Sequence, residues 1–289
     1  MAKKKRLVEE IYDFHAEKYS ELDSLPSKYP QGRTAYWFAD AISWHFLRKY
    51  APKKKSAKLL DAGAGDGYWS EKFARLGYSD LTLTDISKRM LGQAKKRLMK
   101  TPAKSGGGPG RIAPKTSIRF LKADISDMKA LPSSSFDFVF SQYDPVSYCM
   151  RPQKAMNELA RVAKPCAHIC VMVDTKYRRV SEFIACGRIG DAEKLLKNGV
   201  SHDFHHPQIN FTYQELSKYF KNAGLEVKEV IGAPVFAHQI APGALKGLEA
   251  GKKAKARMLT LELEHCTDLS LVNFAGHLQI VGRKPEHSR

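Results

Sequence analysis

The segment Leu59–Ser70, LLDAGAGDGYWS, sets Asp61 and Ala62 ahead of three glycines at two-residue spacing: Gly63, Gly65 and Gly67. Glycine admits the positive φ of a tight turn and lets a ligand approach the backbone with no Cβ in the way. Amides exposed where such a turn opens a helix can meet a negative group. The spacing is GxGxG, whereas a dinucleotide fingerprint is GxGxxG, and position 68 is Tyr. A triphosphate loop would end in Gly-Lys-Ser/Thr, which is absent. Asp85, 18 residues beyond Gly67, can accept hydrogen bonds from two ribose hydroxyls, and Ile86 after it can lie on an adenine face. His202, His205 and His206 cluster in HDFHH, but no fourth zinc ligand is evident and Pro207 follows directly, so no metal site is assigned. His206, or His238 further along the chain, can serve as a general base.

These residues need elements to position them. Apolar residues recur at helical spacing through 7–20 and more strongly through 34–50, with a Pro/Gly-containing loop between. From residue 58 short apolar strands alternate with helices. A strand runs into the glycine turn, and a helix spans Tyr68–Leu76. Strands then fall at 81–85, 117–124, 136–142 and 168–174, with helices at Ser87–Lys100 and Pro152–Ala163. Thr101–Thr116 is a Gly/Pro/Lys loop too poor in apolar residues to pack. After Asp174 the alternation lapses until the helix Tyr213–Ala223 and the strand 225–232. It lapses again from 233 to 251, and the helix Ala254–Asp268 and the strand 277–285 follow. Such alternation predicts an α/β fold: a seven-stranded, mostly parallel Rossmann-like sheet with helices on both faces. Residues 1–50 form an N-terminal helical extension or lid. Residues 51–289 form the main domain, with cap insertions at about 175–212 and 233–270 over the carboxyl ends of the strands, where such sheets bind ligands.

Asp61–Gly67 on its strand–turn–helix resembles motif I of class I S-adenosylmethionine-dependent methyltransferases, (D/E)xGxGxG. NELARVAKP (157–165) is similar to that family's helix ending in RVLKPGG, with Cys166-Ala167 in place of the glycine pair. The resemblance covers residues 55–175 well and 213–285 only in element order. It implies S-adenosyl-L-methionine as cofactor. It also implies that Asp124 faces the exocyclic amine of adenine with Ile125 beneath the ring, and that the end of the fourth strand, Ser141-Gln142, faces the methyl group. Tyr12-Asp-Phe-His-Ala-Glu-Lys-Tyr19 resembles the YDxxAxxY helix of small-molecule members, which implies Tyr12 and Tyr19 near the methionine end. Tyr143 and Asp144 then fall on the acceptor side. Asp144-Pro145-Val146-Ser147 departs from the (D/N)PP(Y/F) of exocyclic-amine methyltransferases at the second proline and the aromatic, so it reads as a substrate-facing loop rather than a nucleobase clamp.

Bulk properties bound the rest. The chain has 289 residues, 43% of them hydrophobic, enough for a sizeable core, and no apolar run approaches a membrane-spanning length. Five cysteines without a CxxC pair argue against a disulfide or zinc scaffold and for a reducing, cytoplasmic setting. The formal charge is +18, but the clusters at 3–6, 53–58, 95–100 and 252–257 lack the interleaved aromatics of a base-stacking platform. The expected partner is therefore a small-molecule methyl acceptor. An RNA or protein methyltransferase using the basic surface is the alternative.

Overall fold

The computed structural model describes residues 8–14, 16, 32–99, 116–203, 206–240 and 251–286. Nine strands are described: β1 (Lys58–Ala62), β2 (Asp80–Asp85), β3 (Ser117–Lys122), β4 (Phe136–Ser141), β5 (Ala163–Asp174), β6 (Val200–Asp203), β7 (His206–Ile209), β8 (Glu226–Ala233) and β9 (His277–Arg283). Seven form one sheet in the order β3-β2-β1-β4-β5-β9-β8, and β6 and β7 pair separately as a hairpin. The strands β3, β2, β1, β4 and β5 are mutually parallel, and β9 runs antiparallel to both its neighbours. This is the mostly parallel, Rossmann-like sheet that the alternation of strands and helices implied.

Period-2 alternation sends successive strand residues to opposite faces. Leu60, Val139, Ile169, Val171 and Ile280 pack on one face with the helices Pro152–Val162 and Tyr213–Asn222. Leu59, Phe138, Phe140, Cys170 and Met172 pack on the other with the helices Gly32–Tyr50, Tyr68–Arg75 and Lys88–Met99. With both faces covered, the strand centres exclude water, and polar chemistry is left to the strand ends.

Two differences from the sequence reading matter for the site. The stretch after Asp174, where the alternation lapses, holds two helices, Lys176–Ala185 and Ile189–Asn198, and the β6–β7 hairpin. The first helix escapes an apolar-period reading because Lys176 and Arg178 lie on its inward face beside Phe183. In addition, β5 begins at Ala163 rather than 168, with a register irregularity between Phe136 and Phe138.

Candidate active site

The glycine turn is bolted to the end of β2. The amides of Gly63 and Ala64 both donate to the carbonyl of Thr84 at 2.8 Å. Gly63 adopts φ +77°, and a Cβ there would stand 2.3 Å from Cγ of Pro145. The glycine thus does two things: it makes the turn and it admits the loop that follows β4. Ala62 is buried at the end of β1, and Gly67, at φ +80°, leads into the helix Tyr68–Arg75.

Three carboxylates collect at the carboxyl ends of the neighbouring strands β1, β2 and β3. Asp61 is buried and accepts from Ser70 Oγ at 2.7 Å. Burial pushes its carboxyl up to about 7. Asp85 accepts from the amides of Gly65 at 2.9 Å and Ser87 at 2.8 Å. Burial pushes it up to about 6 despite those bonds. Asp124 accepts from the amide and hydroxyl of Ser126, and its second oxygen meets Arg151 at 2.6 Å. Ile86 is half-buried and Ile125 buried.

The N-terminal helical residues lie along this rim. Asp13 accepts from the hydroxyl of Ser87 and, at 3.3 Å, from the amide of Arg89. Glu9 pairs with Lys122 at the end of β3. Tyr12 meets Tyr148 edge-on, ring centroids 6.0 Å apart. Tyr19 and His205 lie outside the described residues, as do the side chain of His206 and the basic loop 101–115. His202 is exposed on β6.

Beyond β4 the backbone is strained. Tyr143 and Asp144 are consecutive non-glycine residues with φ of 56° and 77°. The Tyr143 ring stacks on Trp69, and its hydroxyl donates to Asp40 on the helix Gly32–Tyr50. Burial and Asp40 together raise that hydroxyl far above its ordinary range, so it stays protonated. Tyr143 is therefore a fixed donor to Asp40. Ser141 is buried with its Oγ unpartnered, while Gln142 donates to the Ser141 carbonyl and leaves its Oε1 unpartnered.

A second polar cluster joins Asp144 and His238, both named from the sequence, to Asp174 and His277, which were not. In the β5–β9 register Asp174 stands opposite His277, the last residue of one strand beside the first of the other. His277 Nε2 faces Asp144 Oδ2 at 3.6 Å and Asp174 Oδ1 at 3.8 Å. Asp174 also takes Arg178, Arg179 at 3.2 Å, and the amide of Gln208 from the hairpin. Burial works to raise the Asp174 carboxyl, but the two guanidiniums outweigh it and hold it well below the usual range. Burial works to lower His277, but Asp144 and Asp174 outweigh it and raise it. Arg178 and Arg179 continue to Glu182, which meets His238 Nε2 at 3.4 Å. Burial lowers His238 more than Glu182 raises it. His238 itself sits on a short turn, Ala237–Gln239, and the buried carboxylate of Glu262 accepts from the amides of Val235, Phe236 and Ala237 that lead into it.

Asp144, Asp174 and His277 could by spacing bridge a cation. Asp174 is already neutralised by two guanidiniums, which leaves the set little uncompensated charge for a cation. One signal for Asp174 was readable: it ends a strand on the edge where Asp61 and Asp85 end theirs. His277 had none, because its place on that edge follows from β9 running antiparallel.

Comparison with known proteins fits this geometry. Residues 60–171 match a family described as the methyltransferase domain. A malonyl-(acyl-carrier protein) O-methyltransferase of Erwinia billingiae is 32% identical over 121 residues, 41% of this chain and 39% of that protein. The match thus spans well under half the length of that relative. A structure of an S-adenosylmethionine-dependent methyltransferase from Methanosarcina mazei superposes with TM-score 0.57 at 17% identity, over 84% of this chain and 98% of that one. Magnesium protoporphyrin IX methyltransferase from Synechocystis, solved with bound S-adenosylhomocysteine, gives TM-score 0.58 at 11% identity, over 97% and 99%. At such identities the structures share the fold.

Proposed function

We propose that this chain, whose residues 60–171 match a methyltransferase domain, is a class I, S-adenosylmethionine-dependent enzyme that transfers the cofactor's methyl group to a small-molecule acceptor by in-line displacement. One observation carries the reading: buried Asp61 and Asp85 and the carboxylate of Asp124 stand side by side at the carboxyl ends of β1, β2 and β3, around a glycine turn hydrogen-bonded to one of them. The cofactor, when bound, supplies a methyl already activated on a sulfonium. Asp85 would receive the ribose hydroxyls, Ile86 and Ile125 would flank the adenine, and Asp124 would meet its amine in competition with Arg151. Asp61 and the turn Gly63–Gly67 would border the amino-acid end, with Tyr12 beside it.

The protein's own contribution is alignment and exclusion of water, which can supply ~7–11 kcal/mol of barrier reduction. The loop after β4, the helix Lys176–Ala185 and the β6–β7 hairpin are linked at the strand ends through His277 and Asp174, which supports a small acceptor. A polymer acceptor would be served by an open basic trough beside the same edge. The basic hollow of about 470 Å³ lined by His45, Arg48, Lys49, Lys55 and Tyr78 lies instead beside the start of β1 and β2, the opposite end of the sheet.

Two measurements test the proposal. Calorimetric titration with S-adenosylhomocysteine should show micromolar-range binding, and its absence would sink the enzyme reading. Methyl-labelled cofactor offered to metabolite and tRNA pools should label the metabolites, while label confined to tRNA would transfer the assignment to RNA.

A further inference from the structure

The unpartnered buried atoms around His277 are mostly acceptors. Asp144 Oδ1, Gln142 Oε1, Gln208 Oε1 and His277 Nδ1 have no hydrogen-bond partner among the described residues. The amide of Gln208 is oriented by its bond to Asp174, which leaves its oxygen as the free end. With Nε2 turned toward the two carboxylates, Nδ1 donates while the ring is protonated and becomes an acceptor once that proton has left. Among the unpartnered donors, Arg178 Nε belongs to a guanidinium whose other nitrogens are held by Asp174 and Glu182, and Gln279 contributes a further amide. Leaving a buried acceptor unmatched costs ~1–3 kcal/mol, so the oxygens of Gln142, Asp144 and Gln208 favour a ligand that donates. The place adjoins the cofactor turn: Asp144 directly precedes Pro145, whose ring covers Gly63.

We propose that His277 is the general base of the reaction, held by Asp144 and Asp174, and that the acceptor is a hydroxyl or an amine that must shed a proton. The inference rests on the methyltransferase reading and narrows it. The acceptor's lone pair forms the new bond to the methyl carbon as the carbon–sulfur pair returns to sulfur. The pair of the acceptor's bond to hydrogen stays with the acceptor, and its proton passes to His277 Nδ1 and then to solvent. A carboxylate acceptor needs no base and has no proton to donate. It would also set its charge against the unpartnered oxygens of Asp144, Gln142 and Gln208.

The groups facing the imidazole come from several elements. Asp144 and Tyr143 follow β4, Asp174 ends β5, Arg178 lies on the helix Lys176–Ala185, His238 on its short turn, and Tyr36 on the helix Gly32–Tyr50. The acids dominate and hold His277 protonated above the ordinary histidine value of 6.5. Activity therefore rises with pH as His277 gives up its resting proton.

The experiment supplies methyl-labelled cofactor with three probe pools: phenols such as catechol, alkylamines such as ethanolamine, and carboxylates such as malonate and benzoate. Phenols or amines should be labelled, along a single ionisation above pH 6.5. His277→Gln should lower that rate by roughly 10²–10⁴-fold and flatten the profile, with S-adenosylhomocysteine binding retained as the check on folding. Asp144→Asn should shift the ionisation to lower pH, a result that simple packing damage would not produce. Labelled carboxylates, or a His277→Gln protein that keeps its rate, overturn the inference. So does a protein that binds the cofactor product yet labels no pool, although the methyltransferase reading survives that outcome. A protein that binds no cofactor product ends that reading instead.

Discussion

Asp85 shows how one side chain can tie a pH to an affinity. Both of its oxygens already accept backbone amides, and burial raises its carboxyl to about 6. Ribose hydroxyls donate, so the bound state requires the ionised form. S-adenosylhomocysteine affinity should therefore fall about tenfold per pH unit below that value, with proton release measurable by calorimetry in two buffers. Asp85→Ala should weaken binding by roughly 1–3 kcal/mol and remove this pH dependence. Asp61 supplies a stability counterpart. Its folded value near 7 lies above the unfolded one, so the folded state keeps a proton that the unfolded state loses, and stability declines as pH rises between them. Asp61→Asn should gain on the wild type by at most roughly 4 kcal/mol at pH 8 and little at pH 4, read from denaturant melts. Both carboxylates were legible in the sequence because each ends an apolar strand. Tyr143 was legible as a site residue but not in its role, because its partner Asp40 lies 103 positions away.

Among elements, the loop after β4 and the glycine turn behave as one part. Pro145 fills the space that a Cβ on Gly63 would need, whereas a Cβ on Gly77, also at positive φ, would meet nothing within 4 Å. Gly77→Ala should cost only backbone strain, about 1 kcal/mol. Gly63→Ala should cost clearly more and weaken cofactor binding as well, checked by thermal melts with and without S-adenosylhomocysteine. The strands and flanking helices were readable because their apolar residues follow periods of 2 and 3.6. The helix Lys176–Ala185 was not, because its inward face carries cations matched to Asp174, Glu182 and Glu215. No hydrophobic period marks such a face. Gln208 and His277, which meet Asp174 beside it, were hidden with it.

At the scale of the whole molecule, Asp174 joins β5, the helix after it and the hairpin, and stands across the register from β9. Asp174→Asn should cost roughly 3–5 kcal/mol, because Arg178 and Arg179 keep their charge without its counterpart. A matched loss of cap protection in hydrogen exchange would locate the damage. Composition foresaw the class of fold but not this knot, whose members come from strands and loops far apart in the chain. The position of β9 also orders events on the ribosome. It lies between β5 and β8, though both emerge before it. Until residue 277 is made, β8 has no hydrogen-bonded neighbour in the sheet, and β5 presents an open edge of the kind that invites pairing with other chains. The strand that seals that edge also delivers His277, so the nascent protein completes its sheet and acquires its proposed base together.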